Sequence, residues 1–220
     1  MRDSNMIRRV GAALGAAVCL VSGQLLAQQA RPAGPAAPPA SAPAASRAVP
    51  PAAEQLAAAV LPLPDSQRAG ARVFGYAPDG RFVELRPGTG SMTCLANNPR
   101  AERYQVVCYH NSMEPFMARG RELRAQGVRD RDVDSVRNAD VMAGRIQLPS
   151  VASLVSLNGG TYDATTNALH GARPLYVVYL PFATEASTGI PAMPVPGKPW
   201  LMHAGQPGAH VMYAPPAPTP

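Results

Sequence analysis

The sequence predicts an α+β domain: a small antiparallel or mixed sheet, a central helical hairpin and one disulfide. Three observations carry this. β-rich runs broken by turn residues occupy residues 71–109 and return after Pro149; between them, apolar residues recur at helical spacing; and Cys94 and Cys108 form an even pair beyond the N-terminal leader. Strands, then two helices, then strands place the helices over one face of the sheet.

The leader comes first. Arg2, Arg8 and Arg9 make a positive start, Val10 to Val21 is apolar, and Leu25-Leu26-Ala27 ends on a small residue. This is the pattern of a cleaved secretory signal peptide over residues 1–27. A membrane anchor needs about 20 predominantly apolar residues, and Ser22, Gly23 and Gln24 interrupt the run. Lipidation at Cys19 wants a small residue before it, where Val18 stands. Export to the periplasm or the medium is therefore expected, with no stable membrane insertion after cleavage.

Residues 28–51 are Pro/Ala-rich and carry almost no bulky apolar side chains. Such a segment cannot offset its ordering entropy by burial and reads as a disordered, extended spacer. The Pro-rich tail, residues 214–220, reads the same way. A single domain is left over residues 52–213.

Within it, 52–61 (A-A-E-Q-L-A-A-A-V-L) is a short helix stopped by Pro62 and Pro64. Two β-rich runs flank Pro78-Asp79-Gly80, where Pro presets the first φ of a turn and Gly takes the left-handed position. Residues 91–95 and 104–109 form a second pair of strands. Cys94 and Cys108 sit near corresponding ends, so an oxidising compartment implies a bridge between them.

Pro115 suits the first turn of a helix and Gly127 its exit. Met113, Phe116, Met117, Gly120 and Leu123 fall on one stripe. Asp130 or Asp132 can cap a second helix, with Val133, Val136 and Met142 as its apolar repeat and Gly144 at its end. After Pro149, Leu154–Leu157 runs into the hairpin signal Asn158-Gly159-Gly160. Leu175–Leu180 is continuous enough for a central, buried strand. Residues 182–208 read as loop, with Trp200 inside it, and 209–213 as a closing strand.

Charge excludes one class of partner. The net charge is +6, of which the part beyond residue 64 keeps +3, and its charges alternate in sign, as in Arg129-Asp130-Arg131-Asp132. Nucleic-acid binding needs a basic stripe, so no nucleic-acid partner is expected. The motifs of serine hydrolases, zinc proteases, haem attachment, phosphate loops and calcium loops are missing from the sequence.

Three constellations carry chemistry. His110 and Glu114 would share a face if a helix began at His110, and with His210 could serve as acid–base groups of a hydrolase-like enzyme. Pro115 argues instead for Glu114 at the helix boundary. His110, Met113, Met117, Met202, His203, His210 and Met212 supply imidazole and thioether ligands that suit copper or zinc. Methionines at helical spacing also fill cores. The aromatic set Tyr104, Tyr109, Tyr162, Tyr176, Tyr179, Trp200 and Tyr213 suits a sugar or peptide groove, or ordinary sheet packing.

The segments C-Y-H-N-S-M-E-P-F-M-A-R-G-R-E-L-R-A-Q-G, M-T-C-L-A-N-N-P and P-W-L-M with A-H-V-M resemble a group of uncharacterised exported bacterial proteins over roughly residues 55–213. The resemblance implies a bacterial envelope or secreted protein. It implies no activity, cofactor or catalytic residue. The leading expectation is a non-catalytic binding or structural module with an envelope ligand or protein as partner. An enzyme using His110, Glu114 and His210, and a copper or zinc binder, are the alternatives.

Overall fold

The computed structural model describes residues 48–216. The signal peptide, residues 28–47 of the spacer and the last four residues of the tail lie outside them. Helix α1 (Ala52–Ala59) and the short α2 (Asp65–Arg68) precede strands β1 (Arg72–Tyr76), β2 (Phe82–Arg86), β3 (Met92–Leu95) and β4 (Gln105–His110). Helices α3 (Glu114–Ala125) and α4 (Asp130–Met142) follow. Then come β5 (Ala152–Asn158), β6 (Thr161–Asp163), β7 (Ala168–His170) and β8 (Arg173–Tyr179). The chain closes with α5 (Glu185–Thr188), β9 (Trp200–Met202) and β10 (His210–Tyr213).

The sheet is larger than the sequence suggested. Eight strands run in the order β2-β1-β3-β4-β5-β8-β10-β9, and β6–β7 form a separate two-stranded ribbon. All main-sheet neighbours are antiparallel except β1 and β3, which run parallel with Val73 beside Cys94. The fold is thus α+β with a mixed sheet.

Side chains alternate between the two faces, and each face takes a different cover. On one, Val73, Met92, Cys94 and Cys108 pack with Ala59, Val60 and Leu63 at the end of α1. On the other, Tyr109, Ala152, Val177 and Tyr179 pack with Met113 and Phe116 of the α3 region and with Ile146. Cys94 and Cys108 are cross-strand partners, fully buried and joined by a disulfide.

Helix α1 is pinned by a buried amide. The Gln55 side chain donates to the carbonyls of Pro50 and Tyr76 and accepts from the Tyr76 N–H, all at 2.8 Å. A Cβ on Gly75 would lie 2.5 Å from Gln55 Oε1 and from Leu85 Cδ1, so only glycine admits this contact.

Pro115 sits in the first turn of α3 and Gly127 has φ +81° past its end. Helix α4 differs from its predicted face. Val133, Arg137 and Asp140 are buried, whereas Met142 is 69% exposed. The spacing i, i+4, i+7 carries two charged residues inward, and each is paired. Arg119 Nε and Arg145 Nη2 donate to Asp140 at 2.8 and 2.6 Å, and Arg137 pairs with Asp134. The bond from Arg119, then that from Arg145, holds the Asp140 carboxyl below its ordinary range. The N-cap position is Arg129, with no side-chain cap, and Asp130 and Asp132 fall inside the first turn.

Three strand expectations change. Asn158-Gly159-Gly160 does not join two neighbours of the main sheet; it launches the β6–β7 ribbon, after which β8 returns beside β5. Strand β8 is central, yet Tyr176 and Val178 are 48% and 39% exposed. They lie on the face that carries Cys108, beyond the reach of α1. The presumed loop 182–208 contains α5 and the edge strand β9, which includes Trp200.

Candidate functional site

His110 and Glu114 are not brought together. His110 ends β4 opposite Met92, and its Nδ1 lies 2.7 Å from Ser112 Oγ. Tyr109, the preceding residue, therefore faces the other side of the sheet, and its hydroxyl donates to Glu114 Oε2 at 2.5 Å. Arg121 closes the group, with Nη1 to Tyr109 Oη at 2.8 Å and Nη2 to Glu114 Oε1 at 2.6 Å. The same guanidinium lies 5.4 and 5.6 Å from the ring centres of Phe74 and Phe82. Glu114 begins α3 as a partner in a half-buried ion pair. Burial, above all, raises the Tyr109 phenol.

His110 and His210 do not share a site either. They sit on β4 and β10, three strands apart in the sheet order. That is roughly 14 Å at ordinary strand spacing. The register carries Tyr109 across Leu154 and Val177 to Met212, the face that also holds His210, so His110 lies on the opposite face.

His203 and His210 do converge, with ring centres 5.7 Å apart, and Tyr179 stands 4.9 Å from His210. Helix α4 closes the group. Asp134 Oδ2 is 3.5 Å from His203 Nε2, and Asn138 accepts from the Gly208 N–H at 3.1 Å. Arg137 lies 4.0 Å over Phe116, and its buried Nε has no partner among the described residues. The His210 Nδ1 bond to the Gly208 carbonyl, 2.8 Å long, places the proton on Nδ1, because a carbonyl only accepts.

Of the remaining metal candidates, Met113 is fully buried in the core and Met117 and Met212 pack against the same cluster. Met202 pairs with His210 across β9 and β10. Among the described residues no group of three or more His, Cys, Asp and Glu side chains could hold a metal ion. This region is best described as a clamp between α4 and the β9–β10 end of the sheet.

Burial holds the His210 imidazole below its ordinary 6.5; the Gly208 bond opposes this and His203 adds to it. The unfolded chain then takes up a proton more readily than the folded one. Stability is complete above the ordinary histidine range and falls as pH drops below it. Urea unfolding of the protein and of His210→Gln, between about pH 8 and pH 5.5, checks this. The native protein is expected to lose more stability over that interval than the variant; equal losses would sink the assignment.

A cavity lies away from the histidine clamp. A cleft of about 330 Å³ opens between the start of α1, the loop joining β3 to β4, and the β5–β6 turn. Tyr104 and Tyr162 form one wall, their rings 6.2 Å apart and 11° from parallel. Glu54 and Gln55 form another. Gln55 is engaged with β1 as above, whereas Glu54 has no hydrogen-bond or ion-pair partner among the described residues.

The backbone packs closely beside the cleft. A Cβ on Gly160, which has φ +79°, would fall 2.4 Å from the His170 carbonyl oxygen. Tyr162 Oη donates to Asn167 Oδ1 at 2.8 Å, and the Asp163 side chain ties the ribbon's turn through Thr165 and Thr166. Burial pushes the Tyr104 phenol up to about 12, with Tyr162 and Glu54 adding to the rise. Both tyrosines of the first wall are therefore neutral phenols at ordinary pH.

Sequence reasoning named Tyr104 and Tyr162 within its aromatic set and missed Glu54. Their meeting depends on the β6–β7 excursion, and the adjacent glycines 159 and 160 were its one local signal. The remaining aromatics serve packing or lie open. Tyr109 and Tyr179 are buried, and Tyr176 pairs with Tyr213 at 6.5 Å. Against protein-family models, curated proteins and solved structures, the chain finds no match.

Proposed function

We propose that this chain is an exported bacterial envelope or secreted protein whose domain acts as a non-catalytic binding module, with the Tyr104–Tyr162 cleft as its ligand seat. One observation carries the reading: a preformed cleft of about 330 Å³ that pairs two aromatic faces with an unengaged carboxylate. Ligand sites are typically clefts of roughly this size with few polar groups set among apolar and aromatic walls. His110, Glu114 and His210 do not come together, so the acid–base set named from the sequence does not assemble.

The periplasmic or extracellular address draws support from the N-terminal leader and the buried disulfide. Among the described residues no helix is long and apolar enough to cross a membrane. Intact-mass measurement of protein recovered from outside the cytoplasm of an expressing bacterium is expected to give a chain beginning at Gln28. A chain still beginning at Met1 would remove the secretory reading.

The seat itself is tested by thermal shift of the exported protein against a panel of neutral saccharides, organic cations, organic anions and short peptides. At least one class should raise the unfolding temperature of the native protein and leave Tyr104→Ala and Tyr162→Ala unmoved. A panel that shifts nothing, or shifts all three proteins alike, would overturn the assignment.

A further inference from the structure

We infer that the Tyr104–Tyr162 cleft binds an alkylated ammonium group, with the tyrosine faces and the Glu54 carboxylate as its recognition elements. This rests on the cleft being a ligand seat and adds the chemical class of what enters it.

Charge decides first. Glu54 is the one ionisable acidic or basic side chain lining the cleft, apart from the tyrosine phenols, and no Lys, Arg or His lines it. In a chain of net charge +6 this is a local negative site. Glu54 lies in the first turn of α1. An anion would meet that carboxylate with no cation to answer it.

Hydrogen-bonding capacity is divided. Gln55 spends its amide on Pro50 and Tyr76, Asn97 Oδ1 accepts from the Gln105 N–H, and Tyr162 Oη donates to Asn167. Asn97 Nδ2, Tyr104 Oη and Thr161 Oγ1 have no partner among the described residues, so a neutral sugar is the competitor that the saccharide probe must exclude. The two phenol rings line the cleft side by side, near-parallel and 6.2 Å apart.

Among cations, hydration separates the classes. Calcium takes six to eight oxygen ligands and magnesium an octahedral set, which a single carboxylate does not supply. An alkylated ammonium is weakly hydrated and is attracted to the negative face of an aromatic ring, more strongly as the site is desolvated. Two tyrosines and one carboxylate match that need. The Glu54 charge reaches both rings, since it contributes to raising both phenols.

Free small molecules and lipid headgroups both present this chemistry, so the experiment carries an arm for each. The exported full-length product is titrated by calorimetry with choline chloride and with 3,3-dimethyl-1-butanol, its neutral isostere. It is also sedimented with vesicles of phosphatidylcholine or of phosphatidylglycerol. Choline is expected to bind about tenfold or more tightly than the isostere, the equivalent of ~1.4 kcal/mol. Glu54→Gln should lose about that factor, Glu54→Asp should keep most of the affinity, and Tyr104→Ala should lose binding. Unchanged urea midpoints for the Glu54 variants separate recognition from folding.

Binding to free choline identifies a small-molecule source. Binding only to phosphatidylcholine vesicles identifies a lipid headgroup, and either outcome supports the class. Equal affinity for choline and its isostere, or indifference to Glu54→Gln, overturns it. A neutral saccharide that binds in a Tyr104-dependent way while choline does not would overturn the cation and leave the seat standing. Silence from every probe removes both.

Discussion

Phe116→Ala is expected to lower stability by about 3–5 kcal/mol, the range for truncating a buried aromatic side chain. Phe116 is 2% exposed and sits between the sheet and α4. Its ring meets Tyr179 edge-on at 6.3 Å, carries the Arg137 guanidinium at 4.0 Å, and closes on the Gly208 backbone. Removing it opens a cavity and strips Arg137 of the face it lies against. Arg137 is already a buried cation with one unpartnered nitrogen, so the loss compounds a charge that is expensive to bury. Urea denaturation should show a lower midpoint with the slope unchanged. Phe116→Leu, which refills most of the volume, should cost roughly half as much or less. A loss under about 1 kcal/mol for Phe116→Ala would mean that α3 does not seal this face of the sheet.

Removing the disulfide, by Cys94→Ala with Cys108→Ala, is expected to cost about 3 kcal/mol, the loop-entropy value for a closure of ~15 residues. The bridge spans neighbouring antiparallel strands, and both residues are fully buried between the sheet and α1. Burial adds a kinetic consequence. Reductant reaches the sulfurs only when the α1 side opens, so the native protein should titrate no free thiol and should reduce slowly until denaturant is added. Alanine is the appropriate replacement because serine would leave hydroxyls in an apolar cluster. A double variant as stable as the native protein would show that the bridge contributes nothing to the folded state. Rapid reduction without denaturant would show that α1 does not cover it.

Local chemistry was legible in the sequence where it was local in fact. Pro78-Asp79-Gly80 does turn β1 into β2, and Pro115 and Gly127 do bracket α3. The bridged cysteines face each other because the strands that carry them are neighbours. The face of α4 was misread because burial was inferred from apolarity alone. Arg137 and Asp140 point inward with partners on α3 and on the following turn, which no single-helix pattern reveals. The parallel pairing of β1 with β3 was invisible for a related reason. It is a choice of sheet order, made by contacts between segments, and leaves no mark on either strand.

The cleft shows the same division. Glu54 in its first helical turn and tyrosines on strand-like runs are each unremarkable in sequence. They become neighbours only because β6–β7 leaves the main sheet after Asn158 and folds back toward α1. The histidines were misleading for the converse reason. His110 and Glu114 stand at i, i+4 spacing, but strand alternation sends His110 and Tyr109 to opposite faces before the helix begins.

The most direct measurement is an amide shift map of the exported protein, labelled with ¹⁵N and titrated in turn with the saccharide, cation, anion and peptide probes. Saturable shifts are expected to centre on Glu54, Tyr104, Gly160 and Tyr162 for at least one probe, leaving the amides around His203 and His210 in place. Saturable shifts centred on the His203–His210 end, or none anywhere with any probe, would contradict a ligand seat between α1 and the β6–β7 ribbon.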